Sequence, residues 1–339
     1  MPLRVAVIGT GSMGSNHLRV LYDMGNERVT IVGVADAFEE SLRQATHRYQ
    51  IKGYKDFRQL LIEQKPDLVT IAVPTSSHFE VASAVIQSGI HVLIEKPITH
   101  NVAEAEALIQ LAKDHHVKIA VGHVERFNPA VQALKKFLDE GKLGKILHLS
   151  AKRLGPFPVR IGDVGVILDL APHDIDVMCY LTGSPVERVY AETQRILHQK
   201  HEDLLTGLVR FSNGVSGMLD INWLTPTKVR ELTVTGERGM CVVNYLTQDL
   251  YYYENDYTTM DWESLRTLTG VSEGTMTRLK VKKVEPLRLE FEDVIGAIEH
   301  NTSLTVPGED GLAVLKTVQQ LLFSAQHQEV VRNEILSVI

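Results

Sequence analysis

The feature that most constrains this chain is a glycine-rich turn that follows a short apolar run close to the first residue. Residues Val5 to Ile8 are all apolar, as in a strand that is buried on both faces of a parallel sheet. Gly9, Gly11 and Gly14 follow at the spacing of a dinucleotide-binding turn. In such a turn the glycines allow the sharp bend, the approach of a pyrophosphate and close helix packing, and the N–H groups that begin the helix favour phosphate. The pattern therefore predicts a bound dinucleotide at the edge of a parallel sheet.

Asp36 indicates which dinucleotide this is. It follows the second predicted strand, Val29–Ala35, where its carboxylate can accept hydrogen bonds from the adenosine ribose hydroxyls. A 2′-phosphate would meet like charge there, and no arginine follows immediately, since the next residues are Ala37 and Phe38. We therefore expect NAD rather than NADP.

The composition is that of a globular protein, and the length of the chain predicts two domains. The chain has 339 residues, of which 44% are hydrophobic and 23% charged. The net charge of −7 gives no electrostatic reason to expect nucleic acid or an anionic membrane as a partner. No apolar stretch is long enough to span a bilayer, and because Met1 to Arg4 run directly into the first strand we expect no cleaved signal. With only Cys179 and Cys241, at neither metal nor redox spacing, we expect a cytoplasmic protein.

Residues 1–122 alternate apolar runs with segments of helical period, which predicts parallel strand–helix units. The predicted strands are Leu3–Ile8, Val29–Ala35, Leu68–Val73, His91–Ile94 and Lys118–Val121. The predicted helices are Ser15–Met24, Glu39–Tyr49, Asp56–Glu63, Phe79–Ser88 and Val102–His115. Right-handed crossovers between them give an α/β domain with a doubly wound parallel sheet of the Rossmann type, which would bind NAD.

Residues 123–339 read instead as an α+β domain with a mostly antiparallel open sheet, for substrate binding and oligomerisation. The predicted elements are helices at 129–140, 172–181, 289–300 and 311–328, and strands at 146–152, 186–195, 204–211, 215–223, 230–236, 240–245 and 250–253. Asn213-Gly214 is a strong hairpin signal, whereas the stretch 255–283 reads as irregular. With helices on one side only, an apolar open face would make a dimer or tetramer contact, and the strands carry suitable residues: Leu208, Val209, Val215, Met218 and Leu219.

Two candidate sites follow strands of the first domain. The segment Val73-Pro-Thr-Ser-Ser-His78 suits a turn against the nicotinamide ribose, and it could equally serve as the N-cap of the helix at Phe79. Lys96, in Glu95-Lys96-Pro97, would stand at the carboxyl end of a buried strand, where a partly desolvated ammonium can stabilise an alkoxide or exchange a proton with it. The alternative for Lys96 is an ordinary solvated surface lysine.

Two further candidate sites fall in the second domain. Asp169, His173 and Asp176 follow the spacing of one helical face, provided that the helix begins or kinks at Pro172. An imidazole oriented by a carboxylate is a good general base for an alcohol. The same residues could ligate a metal or simply cap a helix, but no further His or Cys cluster supports a metal, and we expect none.

Basic residues flank these sites. Arg153 and Arg160 lie in a proline-rich stretch and could clamp a phosphate bidentately, unless they only offset acids such as Asp163. Arg126 and Asn128 lie just past the first domain, where they could contact nicotinamide or substrate or form a hydrogen-bond network at the domain junction.

Taken together and in this order, these residues resemble the Gfo/Idh/MocA family of sugar and cyclitol oxidoreductases. The resemblance spans essentially the whole chain and includes His17 after the glycine turn, Glu95-Lys96-Pro97, Asp169 with His173, and the segments 286–299 and 305–311. It implies a cis peptide bond before Pro97 and a catalytic set of Lys96, Asp169 and His173, with Pro172 departing from the usual residue at its position. The segments 122–129 and 153–169 are similar to a narrower group within the family, the bacterial UDP-N-acetylglucosamine 3-dehydrogenases.

We therefore expect an NAD-dependent dehydrogenase that oxidises a secondary sugar hydroxyl, the 3-hydroxyl of UDP-N-acetylglucosamine. The alternatives are a free sugar, myo-inositol or UDP-N-acetylglucosaminuronate as substrate, or a sensor that binds NAD and sugar without turnover. The expected cofactor-binding residues are Gly9, Thr10, Gly11, Ser12, Met13, Gly14, Asp36, Val73, Pro74, Thr75, His78, Glu95, Lys96 and Arg126. The expected substrate-binding residues are Lys96, Arg126, Asn128, Arg153, Arg160, Asp169 and His173.

Overall fold

A computed structural model describes residues 1–25, 27–158, 164–256 and 272–333, which group into two compact units. Unit 1 comprises Met1–Val124 and Glu285–Lys316, and unit 2 comprises Glu125–Val284 and Thr317–Ile339. The division expected from the sequence, 1–122 and 123–339, placed all of 285–316 in the second domain, whereas the structure groups this segment with unit 1.

Strands and helices alternate along the first part of the chain, and strands predominate in the second. The strands are β1 (Leu3–Ile8), β2 (Val29–Ala35), β3 (Gly53–Tyr54), β4 (Leu68–Ile71), β5 (His91–Glu95), β6 (Ile119–Gly122), β7 (Ile146–Leu154), β8 (Val186–Gln194), β9 (Leu204–Phe211), β10 (Ser216–Asn222), β11 (Val229–Gly236), β12 (Gly239–Asn244), β13 (Asp249–Asp256), β14 (Ser272–Leu279) and β15 (Val331–Arg332). The helices are α1 (Ser12–Met24), α2 (Glu39–Tyr49), α3 (Phe57–Gln64), α4 (His78–Gln87), α5 (Val102–Asp114), α6 (Pro129–Asp139), α7 (Val166–Asp169), α8 (Ala171–Thr182), α9 (Pro286–Glu299) and α10 (Gly308–His327), with 3-10 turns at Thr75–Ser77 and Val124–Phe127.

Unit 1 contains a parallel sheet, which among the described residues has six strands in the order β3-β2-β1-β4-β5-β6. The strand order reverses direction between β1 and β4, which is where doubly wound sheets bind dinucleotides. The predicted Rossmann fold of the first part of the chain is therefore confirmed. The short edge strand β3 escaped prediction because its two residues carry no periodic signal.

The helix α9 explains why 285–316 groups with unit 1. Its apolar residues Leu287, Phe291 and Ile295 are buried in one core with Val5 of β1 and Leu18 of α1. Their spacing of four residues places them on one helical face. Position in the sequence suggested the second domain, but this apolar face packs against unit 1.

Unit 2 contains a mostly antiparallel sheet, which in the described part of the chain has nine strands in the order β14-β13-β12-β11-β7-β10-β9-β8-β15. Only the pairing of β7 with β10 is parallel among these strands. The hairpin predicted at Asn213-Gly214 is present between β9 and β10, with Gly214 at a φ of 88°. The stretch 255–283, read as irregular, contains strand residues where β13 reaches Asp256 and where β14 spans Ser272–Leu279, whereas residues 280–283 are irregular as predicted.

The open face of this sheet is less apolar than we expected. Of the residues proposed to form it, Val209, Val215 and Leu219 are buried. Leu208, which is 53% exposed, alternates with Val209 along β9, so neighbouring residues face opposite sides of the sheet. The apolar residues of these strands therefore belong mainly to the buried core of unit 2. Across the described ranges, no helix has both the length and the apolar character needed to cross a bilayer.

Candidate active site

The glycine turn after β1 has the close packing that its spacing predicts. Gly9 has a φ of 91°, and a Cβ atom on it would lie 2.4 Å from the carbonyl oxygen of Ala72. A Cβ atom on Gly14 would lie 1.8 Å from the carbonyl oxygen of Gly9. Any side chain at either position would push α1 or β4 away from the turn. The start of α1, at Ser12, is thereby held against the carboxyl end of β1, where its N–H groups can bind phosphate.

Asp36, directly after β2, is held by three hydrogen bonds. Its Oδ2 accepts from the backbone N–H of Thr10 at 2.7 Å and from the Thr10 hydroxyl at 2.8 Å. Its Oδ1 accepts from the backbone N–H of Phe38 at 2.8 Å. The carboxylate is thus fixed beside the glycine turn, which is the position from which it can bind a ribose.

A cavity of about 550 Å³ lies within unit 1 over this turn. Its lining includes Gly9, Gly11, Asp36, Phe38, Lys55 and Pro74. A phosphate-binding turn, a ribose-binding carboxylate and an apolar wall therefore border one cavity at the carboxyl edge of the sheet. These residues fit a dinucleotide.

Asp36→Asn should weaken the preference for NAD over NADP. The amide keeps an acceptor but loses the charge that strengthens the ribose hydrogen bonds and repels a 2′-phosphate. We expect the Kd for NADH to rise by about tenfold and that for NADPH to fall, both measured by fluorescence titration. Glu106→Gln is the control, because this acid on α5 pairs with Lys316, neither residue is among those that line the cavity, and both constants should be unchanged. Equal affinities in Asp36→Asn and the native protein would contradict the role of Asp36.

His78 joins the loops that follow β4 and β5. Its imidazole is buried, with Nδ1 lying 2.9 Å from the carbonyl oxygen of Pro97 and Nε2 lying 3.0 Å from that of Val73. Burial lowers the pKa of His78 below its ordinary value, against the raising effect of these two carbonyl groups. In this position His78 braces the segments that carry Pro74, Thr75 and Lys96, so its contribution to a cofactor site is indirect.

Glu95 is tied to a buried histidine. Its Oε1 lies 2.9 Å from Nε2 of His17, and Nδ1 of His17 lies 2.6 Å from the Thr70 hydroxyl. The other carboxylate oxygen accepts from the backbone N–H of Lys96 at 3.2 Å. Burial works to raise the pKa of Glu95, but the hydrogen bond and charge of His17 outweigh it and hold the pKa below its ordinary value.

Lys96 is therefore attached to a rigid support. It is half-buried at the carboxyl end of β5, and the peptide bond to Pro97 is cis, as the resemblance implied. The role of His17 in this support could not be read from local sequence, because its partners lie 53 and 78 residues away.

In unit 2, Asp169 and His173 lie on consecutive helices. Asp169 ends the short helix α7, and α8 begins at Ala171 with Pro172 in its first turn, so no helix continues through the proline. Both side chains are half-buried. The spacing grouped Asp176 with Asp169 and His173 on one helical face, but Asp176 is fully buried and pairs with Arg126. Among the described residues, no group of three or more His, Cys, Asp or Glu is arranged to hold a metal ion.

The structure does not support an anion-binding role for Arg153. Its guanidinium is buried and donates to both carboxylate oxygens of Asp174, from Nε at 2.6 Å and from Nη2 at 3.0 Å. It also lies 3.3 Å from Glu125, and these acids raise its pKa further despite burial. The positive charge of this guanidinium is offset by the two carboxylates, which weakens its attraction for a phosphate.

Arg126 and Asn128 are also engaged within unit 2. Arg126 is buried, with its Nε 3.0 Å from Oδ2 of Asp176 and its Nη2 bonded to Oδ1. Asn128 caps α6 by accepting from Ala130 at 3.1 Å and donates to the carbonyl oxygen of Tyr245 at 3.1 Å. For both residues the structure favours the hydrogen-bond network over the predicted ligand contact. Arg160 lies outside the described residues.

Comparison with known proteins agrees with this geometry. Residues 3–123 match the model of an oxidoreductase family with an NAD-binding Rossmann fold, Gfo/Idh/MocA, and residues 131–242 match a C-terminal domain of the same family.

The relatives include sugar and cyclitol dehydrogenases. The chain is 30% identical over 319 residues to UDP-N-acetylglucosamine 3-dehydrogenase of Acidithiobacillus ferrooxidans, covering 94% of this chain and 96% of that protein. It is 29% identical over 229 residues to myo-inositol 2-dehydrogenase of Thermotoga maritima, covering 64% and 68%. A crystal form of the Acidithiobacillus enzyme superposes with a TM-score of 0.85 at 29% identity, covering 96% and 98% of the two chains.

Proposed function

The chain belongs to the Gfo/Idh/MocA family of NAD-binding oxidoreductases, and from this we propose that it oxidises the 3-hydroxyl of UDP-N-acetylglucosamine to a ketone. The observation that carries the choice of substrate is the similarity to UDP-N-acetylglucosamine 3-dehydrogenase, which extends over nearly the full length of both chains. The similarity to myo-inositol 2-dehydrogenase is shorter, at 64% of this chain.

Lys96 is the proposed electrostatic catalyst. The chemistry that NAD supplies when bound is acceptance of the hydride from the substrate carbon. As the hydroxyl proton is removed, the oxygen develops negative charge, which a partly desolvated ammonium stabilises until the hydride has left the carbon. Two observations support this role: Lys96 is half-buried, and Glu95, which is bound to His17, accepts a hydrogen bond from the Lys96 backbone. A donor that is already held in position costs little reorganisation energy during the reaction.

His173 is the proposed general base, which takes the hydroxyl proton, and Asp169 orients its imidazole. Both residues are only partly buried, which is compatible with contact to a substrate. The neighbouring acids on α8, Asp174 and Asp176, are buried against arginines and do not compete for this role. Oxidation then yields the ketone, the reduced cofactor and one proton held by His173.

The test is the rate of NADH formation with a panel of substrates. The panel contains UDP-N-acetylglucosamine, its uronic acid, N-acetylglucosamine and myo-inositol, each with NAD and with hydroxylamine to trap the carbonyl product. We expect the highest kcat/KM for UDP-N-acetylglucosamine and the oxime of its 3-ketone by mass spectrometry. A higher kcat/KM for myo-inositol would overturn the substrate, and NAD binding without turnover on the whole panel would favour a sensor.

Two further expectations from the sequence remain proposals. We keep the dimer or tetramer, which Leu208 on the open face of the unit 2 sheet supports, although fewer apolar residues face outward than expected. We also keep the cytoplasmic location.

A further inference from the structure

Two basic side chains lie beside Gly155 in unit 2. β11 runs antiparallel to β7, with Arg230 opposite Arg153 and Val229 opposite Leu154. The atoms closest to a Cβ placed on Gly155 would be Nη1 and Nη2 of Arg230, both at 3.9 Å, and Cγ of Lys228 at 4.0 Å. A Cβ atom there would be in ordinary van der Waals contact with both side chains, so at Gly155 the guanidinium lies next to backbone that carries no side chain.

Arg230 differs from the neighbouring arginines in its partners. Arg126 and Arg153 are each paired with a buried aspartate. Arg230 instead donates from Nη1 to the backbone carbonyl oxygens of Leu154 at 2.5 Å and Val229 at 2.7 Å. Within the described ranges it forms no ion pair with a carboxylate, and its Nε–H and Nη2–H groups make no hydrogen bond. The guanidinium is thus held in place by its Nη1 while the other three donors remain available.

The charge of Arg230 is only partly offset by its surroundings. Burial and the charge of Arg153 lower the pKa of Arg230 to about 10, against the raising effect of Asp174, Glu125 and Asp169. The side chain is half-buried and remains a cation at neutral pH. A partly desolvated cation without an ion-pair partner gains more from a bound anion than a solvated one does.

Arg230 is connected to the helix that carries His173. It lies opposite Arg153, whose guanidinium donates to Asp174, the residue that follows His173 on α8, and the charge of Asp169 contributes to raising the pKa of Arg230. In a nucleotide sugar, the diphosphate is attached to the ring whose 3-hydroxyl reacts. A diphosphate site close to Asp169 is therefore what that substrate requires, and a neutral cyclitol would leave it empty.

We propose that Arg230, with Lys228 at the rim and the bare backbone of Gly155 between them, binds the diphosphate of a nucleotide-sugar substrate. The planar fork of a guanidinium matches two phosphate oxygens, and the ammonium of Lys228 adds a second, solvated charge. This inference rests on the proposed function. It assigns to Arg230 the phosphate contact that was predicted for Arg153.

The test compares the binding of UDP and uridine by titration calorimetry in the presence of NAD. The two ligands differ only in the diphosphate, so their ratio of Kd values isolates the anion site. In Arg230→Gln we expect the Kd for UDP to rise by about tenfold or more, the loss expected for a charge-assisted hydrogen bond, with the Kd for uridine unchanged. Arg230→Lys should recover part of the affinity, because it restores the charge without the fork.

Arg210→Gln is the matched control, since Arg210 is a half-exposed cation on the outward face of the same sheet. It should change neither constant, and thermal melting shows whether each variant is folded. An unchanged Kd for UDP in folded Arg230→Gln, while the native protein oxidises UDP-N-acetylglucosamine, would overturn this inference alone. Native protein that binds UDP no better than uridine and oxidises only uncharged sugars would overturn both this inference and the proposed substrate.

Discussion

Replacing Lys96 with methionine should lower kcat for sugar oxidation by about 10²-fold or more, the lower end of the range for general acid–base help. Methionine has a similar length and keeps the aliphatic contacts but removes the ammonium that stabilises the developing alkoxide. The Kd for NAD should change much less, because the glycine turn and Asp36 carry most of the cofactor contacts. Stopped-flow measurement of NADH formation, together with fluorescence titration of NADH, separates the two effects.

His173→Ala should give a loss of similar size, because the hydroxyl then lacks its base. If Lys96 and His173 act on the same hydroxyl, their effects are not additive, and the double variant should be little slower than the slower single variant. Lys113→Met is the control, since Lys113 is an exposed lysine that pairs with Glu309 in unit 1. Normal turnover in a folded Lys96 or His173 variant would remove that residue from the mechanism.

Asp174→Ala should destabilise the protein by about 3–5 kcal/mol, the usual cost of leaving a buried charge unpaired. It removes both carboxylate oxygens that accept from Arg153 and leaves that guanidinium with Glu125 at 3.3 Å. The free energy of unfolding from urea titration, followed by far-ultraviolet circular dichroism, measures the change.

Two further variants test whether the loss of stability comes from the unpaired buried charge. Arg153→Met combined with Asp174→Leu removes both charges, so it should recover much of the loss. Lys142→Ala breaks an exposed pair with Glu140 in the same unit and should cost less than about 1 kcal/mol. A loss in Asp174→Ala no larger than that in Lys142→Ala would show that the buried pair is not needed for stability.

The predictable parts of this protein are those with short-range signals. The turn could be predicted from Gly9 and Gly14, because the fold leaves no room for a side chain at either position. The hairpin between β9 and β10 could be predicted from two adjacent residues, Asn213 and Gly214. The alternation of apolar runs with helical periods was enough for the doubly wound sheet, whose topology is limited by right-handed crossovers.

The parts that escaped prediction depend on distant partners. Arg153 and Arg126 read as ligand contacts, but their carboxylates lie 21 and 50 residues away on α8, and no local pattern distinguishes a buried pair from an anion clamp. Arg230 carried no signal of its own, because it occupies one position in an ordinary strand. The prediction that α9 belongs to the second domain was wrong for a related reason. The helical period shows that a helix has an apolar face, but it does not show which part of the protein that face packs against.

The central claim is that a hydride leaves carbon 3 of the sugar of UDP-N-acetylglucosamine with help from Lys96 and His173. It is tested most directly with substrate deuterated at carbon 3, in a single turnover with NAD. We predict that the deuterium is recovered in the reduced nicotinamide and that the rate falls relative to unlabelled substrate. Unlabelled NADH, with the deuterium retained in the sugar product, would contradict the account.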